Sequence, residues 1–248
     1  MISKRMTGAF IALLLINSSL LAVDWNPEKV QFKTRDGEML KGFFVAAQPH
    51  EPTVLMLHGL ASSKEEWLPL AKKLTEAGWG VLAYDARGHG ESSQTRNASA
   101  QDIYKYLGAP GPGSRWERMI DDVGAAARFL SGSKKVSRSS IFLAGASIGA
   151  NVCLNFAALT RSVKGVVLLS PGLDYRSIRT EEAIQKTGKM PVLIVANSKD
   201  QYAYASSVQL ASISKSATFW SDVKVGHGTQ MLDDDLLNRL LQWFDKNK

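Results

Sequence analysis

The sequence is poor in cysteine and histidine, the side chains on which disulfide frameworks and most structural metal sites depend. Cys153 is the single cysteine among 248 residues, so no internal disulfide can form. The four histidines are His50, His58, His89 and His227. Neither they nor the cysteine show the spacing of metal ligands, so the sequence predicts no metal site.

Blocks of like charge, low-complexity tracts and internal repeats are also missing. The formal net charge is +7, but the lysines and arginines are scattered rather than clustered in a stripe. This is the pattern of a solvated basic surface, and it predicts no nucleic-acid partner. No linker rich in proline or serine divides the 248 residues, of which 45% are hydrophobic. We therefore expect one large domain with a sizeable core.

Long hydrophobic runs are absent except near the N-terminus. Residues 1–22 combine two basic residues, Lys4 and Arg5, with an apolar run over residues 8–16 and a small residue, Ala22. This pattern predicts a secretory signal peptide that is cleaved near Ala22, leaving a domain over residues 23–248 of a secreted or periplasmic protein. An uncleaved N-terminal membrane anchor is the alternative, although the run is short for the roughly 20 residues of a span.

Beyond residue 23, strand-like and helix-like segments alternate. The segment VQFKTRDGEMLKGFFVAA predicts a β-hairpin with a type I′ turn at Asp36 and Gly37. Short apolar runs such as TVLMLHG and SIFLAG predict buried strands, and amphipathic segments between them predict helices. This order predicts an α/β fold, with a mostly parallel twisted sheet of about eight strands and helices on both faces. Ligands of such sheets bind at the carboxyl ends of the strands.

Local signals add detail at three places along the chain. Ser62 and Ser63 precede Glu65 and Glu66 by three residues, the pattern of a capping box, at the start of a helix that ends at Gly78. Residues 94–114 hold some apolar side chains, but their glycines and prolines favour a loop over a packed domain. A short polar helix is predicted over residues 181–186.

The segment GASIG, residues 145–149, follows an apolar strand and precedes a run that is compatible with a helix. It matches the pattern G-x-S-x-G, in which a sharp turn from strand to helix raises a serine hydroxyl above the sheet. Glycines on both sides suit a turn that crowds the strand against the helix. Ser147 is therefore the candidate nucleophile.

A serine hydroxyl is a weak nucleophile that requires a base, which a carboxylate in turn orients. The chain order that accompanies this kind of turn is serine, acid, histidine, and His227 is the histidine that follows Ser147. Asp200, at the end of the strand PVLIVANSKD, is the candidate acid, and Asp174, just after LLSPG, is its rival. The alternative for His227 is a loop histidine without a role.

Five segments in this order resemble those of the α/β-hydrolase family: HGLASS, DARGHGES, GASIG, NSKD and GHG. The resemblance covers nearly all of the predicted domain. It implies that Ser147 is the nucleophile, that His227 is the general base and then the general acid, and that Asp200 is the orienting carboxylate.

The same resemblance implies where the reacting carbonyl is bound. The backbone N–H groups of Leu60 and Ile148 would form the oxyanion hole, and His58 and His89 would be structural. Neither a cofactor nor a metal ion is implied.

The function that follows is cleavage of a small-molecule ester by a secreted serine hydrolase of the carboxylesterase kind. A peptidase or an acyltransferase with the same three residues is the nearest alternative, and a non-catalytic binding protein of this fold is another. Only residues 173–190 separate two late strands, which leaves no room for a cap domain. We therefore expect an open site that accepts short acyl chains. Nothing in the sequence indicates an oligomeric state.

Overall fold

The computed structural model describes residues 25–95 and 98–248. The predicted signal peptide over residues 1–22 lies outside the described residues, as does the start of the predicted domain at residue 23. The strands of the described part are β1 (Glu28–Lys33), β2 (Met39–Val45), β3 (Thr53–Leu57), β4 (Gly80–Tyr84), β5 (Ile141–Ala146), β6 (Gly165–Leu169), β7 (Asp174–Tyr175), β8 (Ile178–Arg179), β9 (Val192–Val195) and β10 (Ala217–Trp220). Its helices are α1 (Leu68–Glu76), α2 (Ala100–Leu107), α3 (Arg115–Gly132), α4 (Ile148–Thr160), α5 (Glu181–Lys186), α6 (Gln201–Ile213) and α7 (Asp234–Asn247).

Eight strands form one sheet in the order β1-β2-β4-β3-β5-β6-β9-β10, and β7 pairs with β8 in a separate small hairpin. The pairs β1-β2 and β2-β4 are antiparallel, whereas the remaining neighbours in the large sheet are parallel. The prediction of a mostly parallel sheet of about eight strands is confirmed. β5, which leads into Ser147, lies between β3 and β6.

Helices cover both faces of the sheet, as predicted. Every residue of β3 is buried, and alternate side chains point to opposite faces: Leu55 belongs to one hydrophobic cluster and Val54 to the other. α1 and α7 pack together on the Val54 face, and α3 and α4 pack together on the Leu55 face. The core therefore has two layers, and the sheet edge at the carboxyl ends of the strands remains free for a site.

The first hairpin forms as predicted, but its turn does not. β1 and β2 are connected by residues 34–38, and Gly37 has a φ of +94°, whereas Asp36 is not among the residues with positive φ. A type I′ turn needs positive φ at both central positions, so the predicted turn type is wrong. The reason is tertiary: the Asp36 carboxylate accepts hydrogen bonds from Thr34 and from the buried Arg87 guanidinium (2.9 Å), which also binds Asp122 (2.7 Å).

The helix predicted after Ser63 is present, but its start differs. A 3₁₀ turn over Lys64–Trp67 precedes α1, and Ser63 makes no capping hydrogen bond through its side chain. The predicted capping box is therefore wrong. The Glu66 carboxylate instead accepts a hydrogen bond from the Gly59 N–H at 3.0 Å. Gly78, with a φ of +88°, follows the end of the helix as expected.

Residues 94–114 are less loop-like than their composition predicts. Ser99 and Asp102 form a reciprocal capping box that starts α2, and Ile103 and Leu107 are buried against the core. The glycines and prolines are confined to the connection between α2 and α3. The segment thus contributes one helix to the rim of the sheet and does not form a cap domain.

None of the helices in residues 25–95 and 98–248 is long and apolar enough to cross a membrane.

Candidate active site

Ser147 occupies a strained turn between β5 and α4. Its φ of +54° and ψ of −123° are values that a residue with a side chain adopts rarely and at a cost of about 1–3 kcal/mol. The two flanking glycines are required for close approach rather than for positive φ. A Cβ at Gly145 would collide with the backbone of Gly149, and a Cβ at Gly149 would collide with the carbonyls of Leu57 and His58. The start of α4 therefore packs directly against the ends of β5 and β3.

Asp200 and His227 are brought together from the ends of two neighbouring strands. Asp200 follows β9, His227 follows β10, and Asp200 Oδ2 lies 2.6 Å from His227 Nδ1. Since a carboxylate only accepts, this contact places the proton of a neutral His227 on Nδ1 and leaves Nε2 free to accept one. The His227 side chain is 42% exposed and that of Asp200 is 18% exposed.

The loop that carries His227 is held against the turn at Ser147. The Gly228 N–H donates to the hydroxyl of Ser170, the residue after β6, at 2.9 Å. A Cβ at Gly228 would lie 3.2 Å from Ala146 Cβ and 3.9 Å from the Ser147 nitrogen. Ser147, Asp200 and His227 thus belong to one edge of the sheet.

Asp174, the rival acid, has other partners. Its carboxylate accepts a hydrogen bond from the Ser177 N–H at 2.8 Å and pairs with the Arg179 guanidinium at 3.3 Å. Both partners belong to the hairpin of β7 and β8. The structure therefore joins His227 to Asp200 and leaves Asp174 in a local turn.

A cavity of about 480 Å³ opens beside Ser147. Its walls include the two predicted oxyanion residues, and the full lining consists of Leu60, Pro110, Ser147, Ile148, Asp174, Tyr175, Arg176 and Ser177. Within the described residues, neither the Leu60 N–H nor the Ile148 N–H donates a hydrogen bond. The Ser147 N–H, in contrast, donates to the Leu169 carbonyl at 2.8 Å. Two backbone donors next to the candidate nucleophile therefore have no acceptor among the described residues.

Two supporting residues were missed by the sequence analysis. Glu66 lies among Gly59, Ser62, Thr229 and His227, and burial raises the pKa of its carboxyl group. Its hydrogen bond to the Gly59 N–H orients the loop that precedes Leu60. The pattern of Ser62 and Glu66 carries a signal for this contact, although by itself it predicts helix capping.

Asn151 is the second such residue, and no sequence signal identified it. It lies one helical turn after Ser147 in α4 and is fully buried. Its amide donates to the Ile178 carbonyl at 2.8 Å and accepts from the Gly172 N–H at 3.0 Å. Asn155, one turn further on, donates to the Arg179 carbonyl at 2.8 Å. The hairpin of β7 and β8 is thereby fixed relative to the helix that begins at Ser147.

Tyr175 in the same hairpin also faces the candidate nucleophile. Its phenol donates to the Ser170 carbonyl at 3.5 Å, and burial raises its pKa above the usual range. The phenol therefore stays protonated in the wall of the cavity.

His58 and His89 are buried and bind backbone groups. His58 Nε2 accepts from the Ala86 N–H at 2.9 Å, so its Nδ1 carries the proton and donates to the Gly59 carbonyl at 2.6 Å. Burial lowers the pKa of His58 to about 4 and, with repulsion from His58, that of His89 to about 3. Both rings are neutral and hold the turns after β3 and β4.

A family model described as "Serine aminopeptidase, S33" matches residues 48–225. The match includes Ser147 and Asp200 and ends two residues before His227.

Two curated relatives and one solved structure illustrate the similarity. The uncharacterized protein YfhR of Escherichia coli O157:H7 is 25% identical over 63% of this chain and 51% of its own length. The polyketide transferase af380 of Aspergillus fumigatus is 28% identical over 60% of this chain and 47% of its own. The chain thus spans about half the length of the curated relatives it matches. The structure of the Pyrococcus furiosus esterase Pf2001 covers 98% of this chain and 96% of its own at 17% identity, with a TM-score of 0.69, which is a likeness of fold.

The neutral, buried state of His58 predicts a loss of stability in mild acid. Between pH 6.5 and about pH 4 the unfolded chain binds a proton at this residue and the folded chain does not, so the free energy of unfolding falls as the pH falls. The loss approaches about 3 kcal/mol by pH 4, since one pKa unit corresponds to about 1.4 kcal/mol. Urea unfolding at pH 7.0, 5.5 and 4.5 measures it.

His58→Gln should reduce this slope by the share of one histidine and leave the share of His89, whose pKa burial also lowers, whatever its effect on stability at pH 7. His50→Gln, which removes an exposed histidine outside the sheet, is the matched control and should keep the slope. An unchanged slope in His58→Gln would contradict the prediction.

Proposed function

The chain belongs to the serine aminopeptidase S33 family of α/β hydrolases, and on this premise we propose that it is a secreted serine hydrolase that cleaves small or short-chain esters. The observation that carries the proposal is the pair of Asp200 and His227, 2.6 Å apart, at the sheet edge where the strained turn presents Ser147. Nucleophile, base and orienting acid are then all supplied by one edge of the sheet.

The proposed reaction proceeds through an acyl-enzyme. The Ser147 hydroxyl attacks the ester carbonyl as its proton passes to His227 Nε2, and Asp200 holds the Nδ1–H and stabilises the imidazolium. The C–O bond to the alcohol then breaks, and His227 returns the proton to the departing oxygen. In the second half, His227 takes a proton from water as the water oxygen attacks the acyl carbon. The bond between that carbon and Ser147 Oγ then breaks, His227 returns the proton to Oγ, and the carboxylic acid leaves.

The negative charge that develops on the carbonyl oxygen needs donors in place before the reaction. The N–H groups of Leu60 and Ile148 are suited to this task because they line the cavity at Ser147 and have no other acceptor among the described residues. Loss of one such donor typically costs about 3 kcal/mol of transition-state stabilisation. Glu66 acts as a positioning residue, since it anchors Gly59 directly before Leu60.

The charge around the cavity favours an ester over the amino-terminal peptide that the family description suggests. An aminopeptidase has to bind the positively charged α-amino group of its substrate close to the reacting carbonyl. The cavity instead carries the Arg176 guanidinium, and its one carboxylate, Asp174, is paired with Arg179. A cationic group would therefore be repelled on balance.

Acyl transfer, as in the name of the relative af380, differs in the acceptor that attacks the acyl-enzyme. The His227 side chain is 42% exposed, which favours water over another acceptor. A non-catalytic binding protein is the remaining alternative, and labelling of Ser147 by a fluorophosphonate separates it from an enzyme.

Replacement of the three residues should abolish turnover in a characteristic way. Ser147→Ala and His227→Ala should each lower kcat/KM for 4-nitrophenyl acetate by about 10⁴-fold or more, and the double variant should be little worse, because the three groups act as a unit. Asp200→Asn should cost about 10³- to 10⁴-fold.

Asp174→Asn is the matched control and should stay within a few-fold of the parent. If Asp174→Asn were inactive while Asp200→Asn kept its activity, the assignment of the acid would be wrong.

The proposed preference for short acyl chains rests on what lies between β6 and β9. This connection holds the hairpin of β7 and β8 and the six-residue α5, and it adds no cap. Without a deep apolar pocket, an added methylene gains little of its roughly 0.8 kcal/mol of burial energy. We expect kcat/KM for 4-nitrophenyl esters to peak at short chains between acetate and palmitate. A steady climb to palmitate, or a jump above the micellar concentration, would overturn this part of the proposal.

Export is proposed from residues 1–22 alone. In a bacterial host the full chain should appear outside the cytoplasm with an N-terminus near Val23, as N-terminal sequencing can determine. Leu14→Arg, which places a charge in the apolar run, should retain the precursor. Recovery of an intact N-terminus from the membrane fraction would favour the anchor instead.

A further inference from the structure

Arg176 lines the cavity beside Ser147, and its guanidinium has no carboxylate partner among the described residues. It stacks over the ring of Tyr104, with its central carbon 4.6 Å from the ring centroid, and lies 5.5 Å from the ring of Trp116. One of its nitrogens donates to the Tyr104 hydroxyl at 2.8 Å. The nearest acidic neighbour in the cavity wall, Asp174, is paired with Arg179.

The position of Arg176 is set by its backbone. Arg176 and Ser177 form the two-residue turn between β7 and β8, and both have positive φ, +56° and +66°. A type I′ turn of this kind normally uses asparagine and glycine. Arginine and serine at these two positions therefore add backbone strain to the turn.

The position of this turn is also fixed relative to the candidate nucleophile. Asn151 and Asn155 of α4 bind the backbone on both sides of the hairpin, and α4 begins directly after Ser147. Arg176 is thus held from one side by the helix of the nucleophile and from the other by the rings of Tyr104 and Trp116.

Stacking constrains the faces of a guanidinium and leaves its edge available. All five N–H donors lie in the plane of the group, and the Tyr104 hydroxyl takes one of them. The remaining donors match the two oxygens of a carboxylate. We propose that Arg176 binds a carboxylate on the acyl part of the substrate, so that this enzyme acts on monoesters of dicarboxylic acids. This inference rests on the proposed esterase function.

Two features of the cavity indicate that it binds the acyl part of the substrate and that the group bound by Arg176 is a carboxylate. The cavity is lined by the oxyanion residues Leu60 and Ile148 and not by His227, beside which the alcohol has to leave, so the cavity receives the acyl side. A dianionic phosphate would be repelled by Asp174 more strongly than a monoanionic carboxylate. Arg176, with Asp174 nearby, therefore suits a ligand group that carries one negative charge.

The test compares substrates that differ only in this charge. The 4-nitrophenyl monoesters of adipic, pimelic and suberic acid are each paired with the same ester whose distal carboxyl is a primary amide. In the parent enzyme, kcat/KM for the acid should exceed that for the amide by about tenfold at low ionic strength for the best chain length. The ratio should shrink in 0.5 M NaCl.

Arg176→Gln should bring the ratio of acid to amide to about one or below, and Arg176→Lys should keep an intermediate value because it retains charge without the fork. Arg115→Gln is the matched control, since Arg115 also stacks on a tyrosine, Tyr106, but does not line the cavity. It should leave the ratio at the parental value. The ratio is internal to each variant and so does not depend on the folded fraction.

A ratio near one in the parent enzyme, or an equal loss on both substrates in Arg176→Gln, would overturn the inference and leave the esterase proposal standing. A preference for the matching ester with a distal phosphate would overturn the choice of a carboxylate. If neither ester is cleaved and Ser147 is not labelled by a fluorophosphonate, the proposed function fails and the inference falls with it.

Discussion

The candidate site depends on the contact between the start of α4 and the ends of β5 and β3. This contact is possible only because Gly145 and Gly149 have no Cβ, and it forces Ser147 into a backbone conformation that is strained for a residue with a side chain. A strained turn persists only when its surroundings determine it fully. Here the buried strand on one side and a thirteen-residue buried helix on the other supply that constraint.

Once α4 is fixed, the neighbouring parts of the site follow from it and from the order of the sheet. β5 lies between β3 and β6, so the ends of β3, β5 and β6 meet at one edge, with β9 and β10 beyond them. At that edge lie the loop of Leu60, the turn of Ser147, the hydroxyl of Ser170 and the pair of Asp200 and His227. The hydrogen bonds of Asn151 and Asn155 also fix the hairpin that carries Arg176 relative to α4.

Two buried cations of the described residues are paired with carboxylates, whereas Arg176 is not. Arg87 is buried against Asp122 and Asp36, and Lys64 is surrounded by Asp85, Glu65 and Glu91. The cost of burying these cations is offset by their carboxylate partners. Arg176 is instead stacked on aromatic rings, which holds its position without neutralising its charge. Arg176 and Ser147 line the same cavity, which is the basis of the carboxylate site proposed above.

The sequence by itself determined the architecture and identified Ser147 and His227 as candidate site residues. The alternation of short apolar runs with amphipathic segments predicted the sheet and its two helical layers, because periodicity is a local property of the chain. GASIG predicted the turn at Ser147 for the same reason. The tertiary structure decided which acid meets His227, since Asp174 lies in the separate hairpin of β7 and β8, whereas Asp200 follows β9, the neighbour of the strand that precedes His227. The tertiary structure also decided three local features. The connection at Asp36 is not a type I′ turn, the Glu66 carboxylate binds the Gly59 N–H instead of capping a helix, and residues 94–114 include the helix α2. Arg176 illustrates the limit: its partner Tyr104 lies 72 residues away, and contacts over such separations arise only when the fold brings distant segments together.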